Sequence, residues 1–77
     1  MEERSYKELR QEVKRDLERL YPGAVLLTLK QVMAIYGYRR RESCMNALEI
    51  PRVAGERRVL YYLGDVASDI ARRRMGG

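Results

Sequence analysis

A chain of 77 residues has room for one small domain, since chains of this size bury only about 60% of their unfolded surface, and a deep catalytic cleft does not fit in it. With 16 Lys and Arg, 11 Asp and Glu, no histidine and one cysteine, the sequence excludes His-based catalysis, Cys/His metal sites and an intrachain disulfide; a reducing cytoplasm, no cofactor and no enzymatic role are expected. No apolar run approaches the ~20 residues of a membrane span, and the opening MEERSYKE lacks a signal peptide's apolar stretch, so a soluble cytoplasmic protein is expected, with no membrane or small-molecule partner.

Ser5 and Glu8 have the S-x-x-E spacing of a capping box, and Tyr6, Leu9, Val13, Leu17 and Leu20 follow at steps of three and four. This predicts an amphipathic helix from about Tyr6 to Leu20, stopped by Tyr21-Pro22-Gly23. Its apolar stripe either lies on the core of its own domain or contacts a second copy or a partner protein. Ala24 to Leu27 is a short apolar run, either a strand or an extended connector.

Thr28 and Gln31 form a second box, so a helix begins at Leu29 with Val32, Ile35 and Tyr36 on one face, and Gly37 can end it in the left-handed conformation. A further short helix follows, with Arg39, Arg40 and Arg41 at its start and Cys44, Ala47 and Leu48 as its apolar stripe. Two short helices across a tight turn make a helix-turn-helix pattern, whose second member is sized for a DNA major groove. Next, Ile50 to Ala54 and Val59 to Leu63 read as a β-hairpin around Gly55-Glu56-Arg57-Arg58, with Pro51 confined to the start of its strand. Asp65 is the expected N-cap of a last helix carrying Val66, Ala67, Ile70 and Ala71 on one side. Arg72, Arg73 and Arg74 suit the dipole of its final turn, and Met75-Gly76-Gly77 should fray.

The expected architecture is thus a small α+β winged helix-turn-helix: helix-turn-helix, two-stranded hairpin wing and C-terminal helix, with an added N-terminal amphipathic helix. Residues 1–23 form that helix and turn, 24–74 the DNA-binding domain, and 75–77 a flexible tail. The charge follows this division. Residues 1–27 hold six basic and six acidic side chains and residues 28–77 ten and five, so the whole surplus of +5 lies in the second part, where it favours a polyanionic partner.

The run L-T-L-K-Q-V, Gly37 before an arginine-rich helix, Ile50-Pro51, Gly55 followed by Arg58, and Asp65-Val66 together resemble the excisionase-like branch of winged helix proteins, which are related to the DNA-binding domains of MerR-type regulators. The likeness spans Leu27 to about Arg73. It departs at Met33, where the family usually has alanine; at Arg39, where it has a serine-like cap; and near Ser43, where it has a β-branched residue. The resemblance implies a recombination directionality factor that binds and bends attachment-site DNA, assists an integrase or recombinase in excision, and can self-associate on DNA. Small transcriptional regulators share the fold, and a protein-interaction module is a further alternative.

With Cys44, Ala47 and Leu48 inward, a step of about 100° per residue turns Glu42, Met45, Asn46 and Glu49 outward. Arg39 and Arg41 lie at the margins of that face. Arg40 and Arg41 are candidates for guanine edges and Asn46 for adenine; otherwise the arginines hold phosphates and Asn46 faces solvent. Arg52, Arg57 and Arg58 either reach phosphates or a minor groove from the wing or decorate a solvated tip. Lys30 can meet a phosphate beside the helix start. Tyr36, Tyr38, Tyr61 and Tyr62 are assigned to the core rather than to base stacking, and Cys44 to a small buried apolar position.

Overall fold

The computed structural model describes residues 5–55 and 57–76. Four helices and a two-stranded antiparallel sheet follow in the order α1 (Tyr6–Leu20), β1 (Leu26–Thr28), α2 (Leu29–Tyr36), α3 (Arg41–Ala47), β2 (Leu60–Tyr62), α4 (Leu63–Gly76). The fold class α+β is as the sequence predicts. None of these helices is long and apolar enough to cross a membrane, among the described residues.

The local signals act where they stand. Ser5 Oγ accepts from the Glu8 N–H at the head of α1. At α2 both halves of the box form, with Gln31 N–H donating to Thr28 Oγ1 at 3.2 Å and Thr28 N–H to Gln31 Oε1 at 2.9 Å. Gly37 sits at φ 81°, a conformation that penalises any side chain, and there the N–H groups of Gly37 and Tyr38 return to the Met33 carbonyl and close the helix.

Of the two roles open to α1, it fills the first. It packs along α4, and Val13 and Leu17 belong to the same core as Leu27, Val32, Cys44, Tyr61 and Val66. Leu20, expected in that stripe, is instead 65% exposed, because α1 ends there and the chain turns away.

The hairpin is where the sequence reading fails. Ile50 to Ala54 forms no strand, and β2 pairs with β1, in the register Leu26 with Tyr62, Leu27 with Tyr61 and Thr28 with Leu60. This non-local ladder buries Leu27 and Tyr61 almost completely, which a local hairpin tip does not do. Leu29 N–H to the Val59 carbonyl and Leu63 N–H to the Val25 carbonyl extend it at either end. One rung of the expected hairpin survives, Val53 N–H to the Leu60 carbonyl at 2.9 Å, with Gly55 at φ 83° in the turn beyond it. Glu56 lies outside the described residues.

The last helix starts two residues before the expected cap at Asp65. Its first N–H, from Leu63, is satisfied by the Val25 carbonyl across the ladder, one of the four N–H groups that a helix start leaves without an intrahelical partner. Gly64 then lets Tyr62 and Arg10 come close: a Cβ at this position would lie 2.6 Å from Tyr62 Cε2 and 3.2 Å from Arg10 Nη2. Arg10 Nε donates to Ser68 Oγ, which donates to the Gly64 carbonyl, fastening α1 to α4. Met75 and Gly76 are helical rather than frayed, and Gly77 lies outside the described residues.

A polar cluster joins the helices on their other side. The side chain of Asp69, only 5% exposed, accepts at Oδ2 from the Tyr36 hydroxyl (2.7 Å) and from Arg73 Nε (2.8 Å), while Arg72 stands 3.6 Å from Oδ1. Arg73 also lies 5.5 Å above the Tyr36 ring and donates to the Ala47 carbonyl at the end of α3. Burial first, and then the hydrogen bond to Asp69, hold the Tyr36 phenol far above its ordinary range.

In the unfolded chain Tyr36 ionises near its ordinary value of 10.0, whereas the fold keeps the proton. Its contribution is therefore complete below that pH and is lost as pH rises beyond it; burial raises Cys44 and Tyr61 in the same direction. Thermal melts should be level near neutrality and fall above pH ~10. Tyr36→Phe should lower Tm at pH 7 by roughly 4–8 °C, the loss of about 1 kcal/mol, and make the alkaline fall shallower. An equally steep fall in the variant would rule out Tyr36 as a source of that dependence.

Candidate nucleic-acid interface

Of the ten side chains the sequence nominates, the fold brings Lys30, Arg41, Arg57 and Arg58 to the walls of one open cleft of about 550 Å³. Three separate segments deliver them. Lys30 stands in the first turn of α2, Arg41 is the first residue of α3, and Arg57 and Arg58 belong to the loop that returns to β2. Thr28, Leu29, Met33 and Val59 complete the lining. The cleft lies at one end of the sheet, because Thr28 leads directly into α2 while Val59, whose carbonyl holds the Leu29 N–H, leads into β2.

The remaining candidates lie outside this lining. Arg39 and Arg40 precede α3 rather than opening it: Arg40 is its N-cap, extended at φ −112° and ψ 136°, and makes no side-chain capping bond. Both are exposed, as are Glu42 and Asn46 on α3 and Glu49 and Arg52 in the loop that follows it. Arg52 is close enough to Tyr61 to oppose, by its charge, the upward push that burial gives that phenol. Met45 corrects the expected face. It is half-buried and packs against the core, because Cys44 and Leu48 occupy the centre of the inward face and Met45, beside Cys44, reaches over the core's margin. The outward face of α3 is thus narrower than expected, and Glu42 and Asn46 stand on it.

Electrostatically the cleft is one-sided. Among the described residues no ion pair engages Lys30, Arg41, Arg57 or Arg58, whereas Arg19 is paired with Asp16 and Arg72 and Arg73 with Asp69. Four cations with no ion pair among the described residues therefore surround an apolar floor, and their charge makes the potential in the cleft positive. No local spacing in the sequence marks that floor. Met33 stood out only as a departure from a familiar pattern, and Val59 only as a strand residue.

No family model, no curated protein and no solved structure matches this chain.

The cap that starts α2 also supports the cleft, since Thr28 and Lys30 both line it. Thr28→Ala should lower stability by about 1 kcal/mol, a Tm decrease of roughly 4–8 °C, and Thr28→Ser should recover most of it. A serine variant as unstable as the alanine variant would mean that the methyl group, not the hydroxyl, matters there.

Proposed function

We propose that this protein binds double-stranded DNA as a winged helix-turn-helix of excisionase type. α2 and α3 act as the helix-turn-helix, and the loop between α3 and β2 stands in the position of a wing. In this reading α3 enters a major groove with Arg41, Glu42 and Asn46 towards base edges, while Arg39 and Arg40 precede it along the backbone. Lys30, Arg57 and Arg58 hold phosphates on the flanking strand, and Arg52 adds charge beside them. The protein works by bending DNA and assisting an integrase, without an active site of its own.

The observation that carries this reading is the convergence of Lys30, Arg41, Arg57 and Arg58, drawn from three segments and without an ion pair among the described residues, on one cleft that includes the start of α3. The resemblance in residues 27–73 suggests the excisionase assignment; a small transcriptional regulator shares that fold and would use the same contacts.

Binding to a mixed-sequence 30-bp duplex, followed by fluorescence anisotropy, tests the electrostatic part. Phosphate contacts by Lys30, Arg39, Arg40, Arg57 and Arg58 give a slope of roughly −4.5 in log K against log salt, a loss of about 500-fold between 50 and 200 mM. Arg57→Ala with Arg58→Ala should flatten that slope by about two contacts. Affinity that ignores salt would point instead to an apolar docking module. An excision assay separates the two DNA-binding readings: excision that proceeds equally well without the protein leaves the regulator.

A further inference from the structure

Under the DNA reading, on which this inference rests, α3 meets the duplex, yet little within α3 fixes its direction. It is seven residues long, its N-cap supplies no side-chain bond, and within it only Cys44 is fully buried. Two turns of helix are not stable alone, so the tilt of α3 is set from outside. Among the described residues a single side-chain hydrogen bond reaches it, from Arg73 Nη2 to the Ala47 carbonyl at 3.2 Å. The guanidinium that makes it is itself immobilised, by Asp69 through Nε and by the Tyr36 ring beneath it. Tyr36 belongs to α2 and donates to the same Asp69 oxygen. One planar side chain therefore ties the end of α2 to the end of α3 by way of α4.

We propose that Arg73 is a positioning residue for the α3 face. It fixes the angle between α2 and α3, and with it the fit of Arg41 and Asn46 to base edges, while lying outside the cationic lining of the cleft. Only a forked donor can do this. Lysine has the charge but no planar pair of N–H groups to reach carboxylate and carbonyl together.

A positioning role predicts a change in discrimination rather than in general affinity. The test compares affinity for a duplex selected from a random pool with that for the mixed-sequence duplex, at a temperature where every variant is folded by circular dichroism. Arg73→Gln should reduce the ratio of the two affinities by about tenfold, the equivalent of 1.4 kcal/mol. Arg73→Lys should fall between it and the parent. Arg74→Gln removes the same charge from an exposed neighbour that is not among the hydrogen-bond and ion-pair partners of Asp69, and should lower both affinities alike with the ratio unchanged. A ratio retained in Arg73→Gln overturns the proposal.

Should the parent bind neither duplex, the DNA reading fails and the positioning claim is judged by amide exchange. The N–H groups of Cys44 and Leu48, bonded within α3, should then exchange about tenfold faster in Arg73→Gln while those of Val13 and Leu17 keep the parent rate. Unchanged α3 amides, or a uniform rise in α1 and α3, overturn it.

Discussion

One carboxylate, shut off from water, fixes the relative orientation of three helices. Asp69 is the only buried charged group among the described residues, and removing it from water is expensive unless its oxygens are occupied. Tyr36 and Arg73 occupy Oδ2, and Arg72 stands by Oδ1. The apolar core beside it, centred on Leu27, Val32, Tyr61 and Val66, supplies most of the stabilisation but no direction, since apolar burial scales with area and tolerates rotation. Hydrogen bonds do not tolerate it. A turn of α2 about its axis would withdraw the Tyr36 hydroxyl, and a tilt of α3 would withdraw the Ala47 carbonyl from Arg73.

The sheet does the complementary work along the chain. Pairing Leu26–Thr28 with Leu60–Tyr62 brings together segments separated by α2, α3 and a long loop, and it sorts the molecule into two ends. At the Val25 and Leu63 end, α4 starts against α1, with Gly64 admitting Tyr62 and Arg10 at close range. At the Thr28 and Val59 end, α2 starts beside the returning loop, and there the cations meet. The cleft is thus a consequence of strand pairing. The rung from Leu29 to Val59, with the Thr28–Leu60 pair beside it, holds the loop bearing Arg57 and Arg58 at the start of α2.

Local signals in the sequence were legible and non-local ones were not. The Thr28 and Gln31 box, the left-handed Gly37 and the apolar steps of α1 each depend on residues within one or two turns, so spacing alone reveals them. The hairpin failed for the opposite reason. Ile50 to Ala54 has strand composition, but the partner of Leu60–Tyr62 is decided by which pairing buries Tyr61 more completely, and that choice involves Leu27, more than thirty residues away. The start of α4 failed similarly, because its first N–H is satisfied across the ladder and not by Asp65. At the site, the exposed cations were visible as residues but their grouping was not. Arg73 was read as a charge suiting a helix terminus; its spacing of four from Asp69 was the available sign that it had a closer partner.

The two basic populations of residues 28–77 have different tasks, and the difference lies in their partners. Arg72 and Arg73 stand on α4 within reach of Asp69, so part of their field is neutralised inside the molecule. Lys30, Arg41, Arg57 and Arg58 face no carboxylate among the described residues, and their field runs into the cleft. A surplus of +5 spread over a surface would be screened within about 10 Å at ordinary salt and would attract any anion weakly. Gathered around one apolar floor, the same charge is concentrated at one end of the sheet. The proposed contact with a DNA backbone would draw on that concentration of charge.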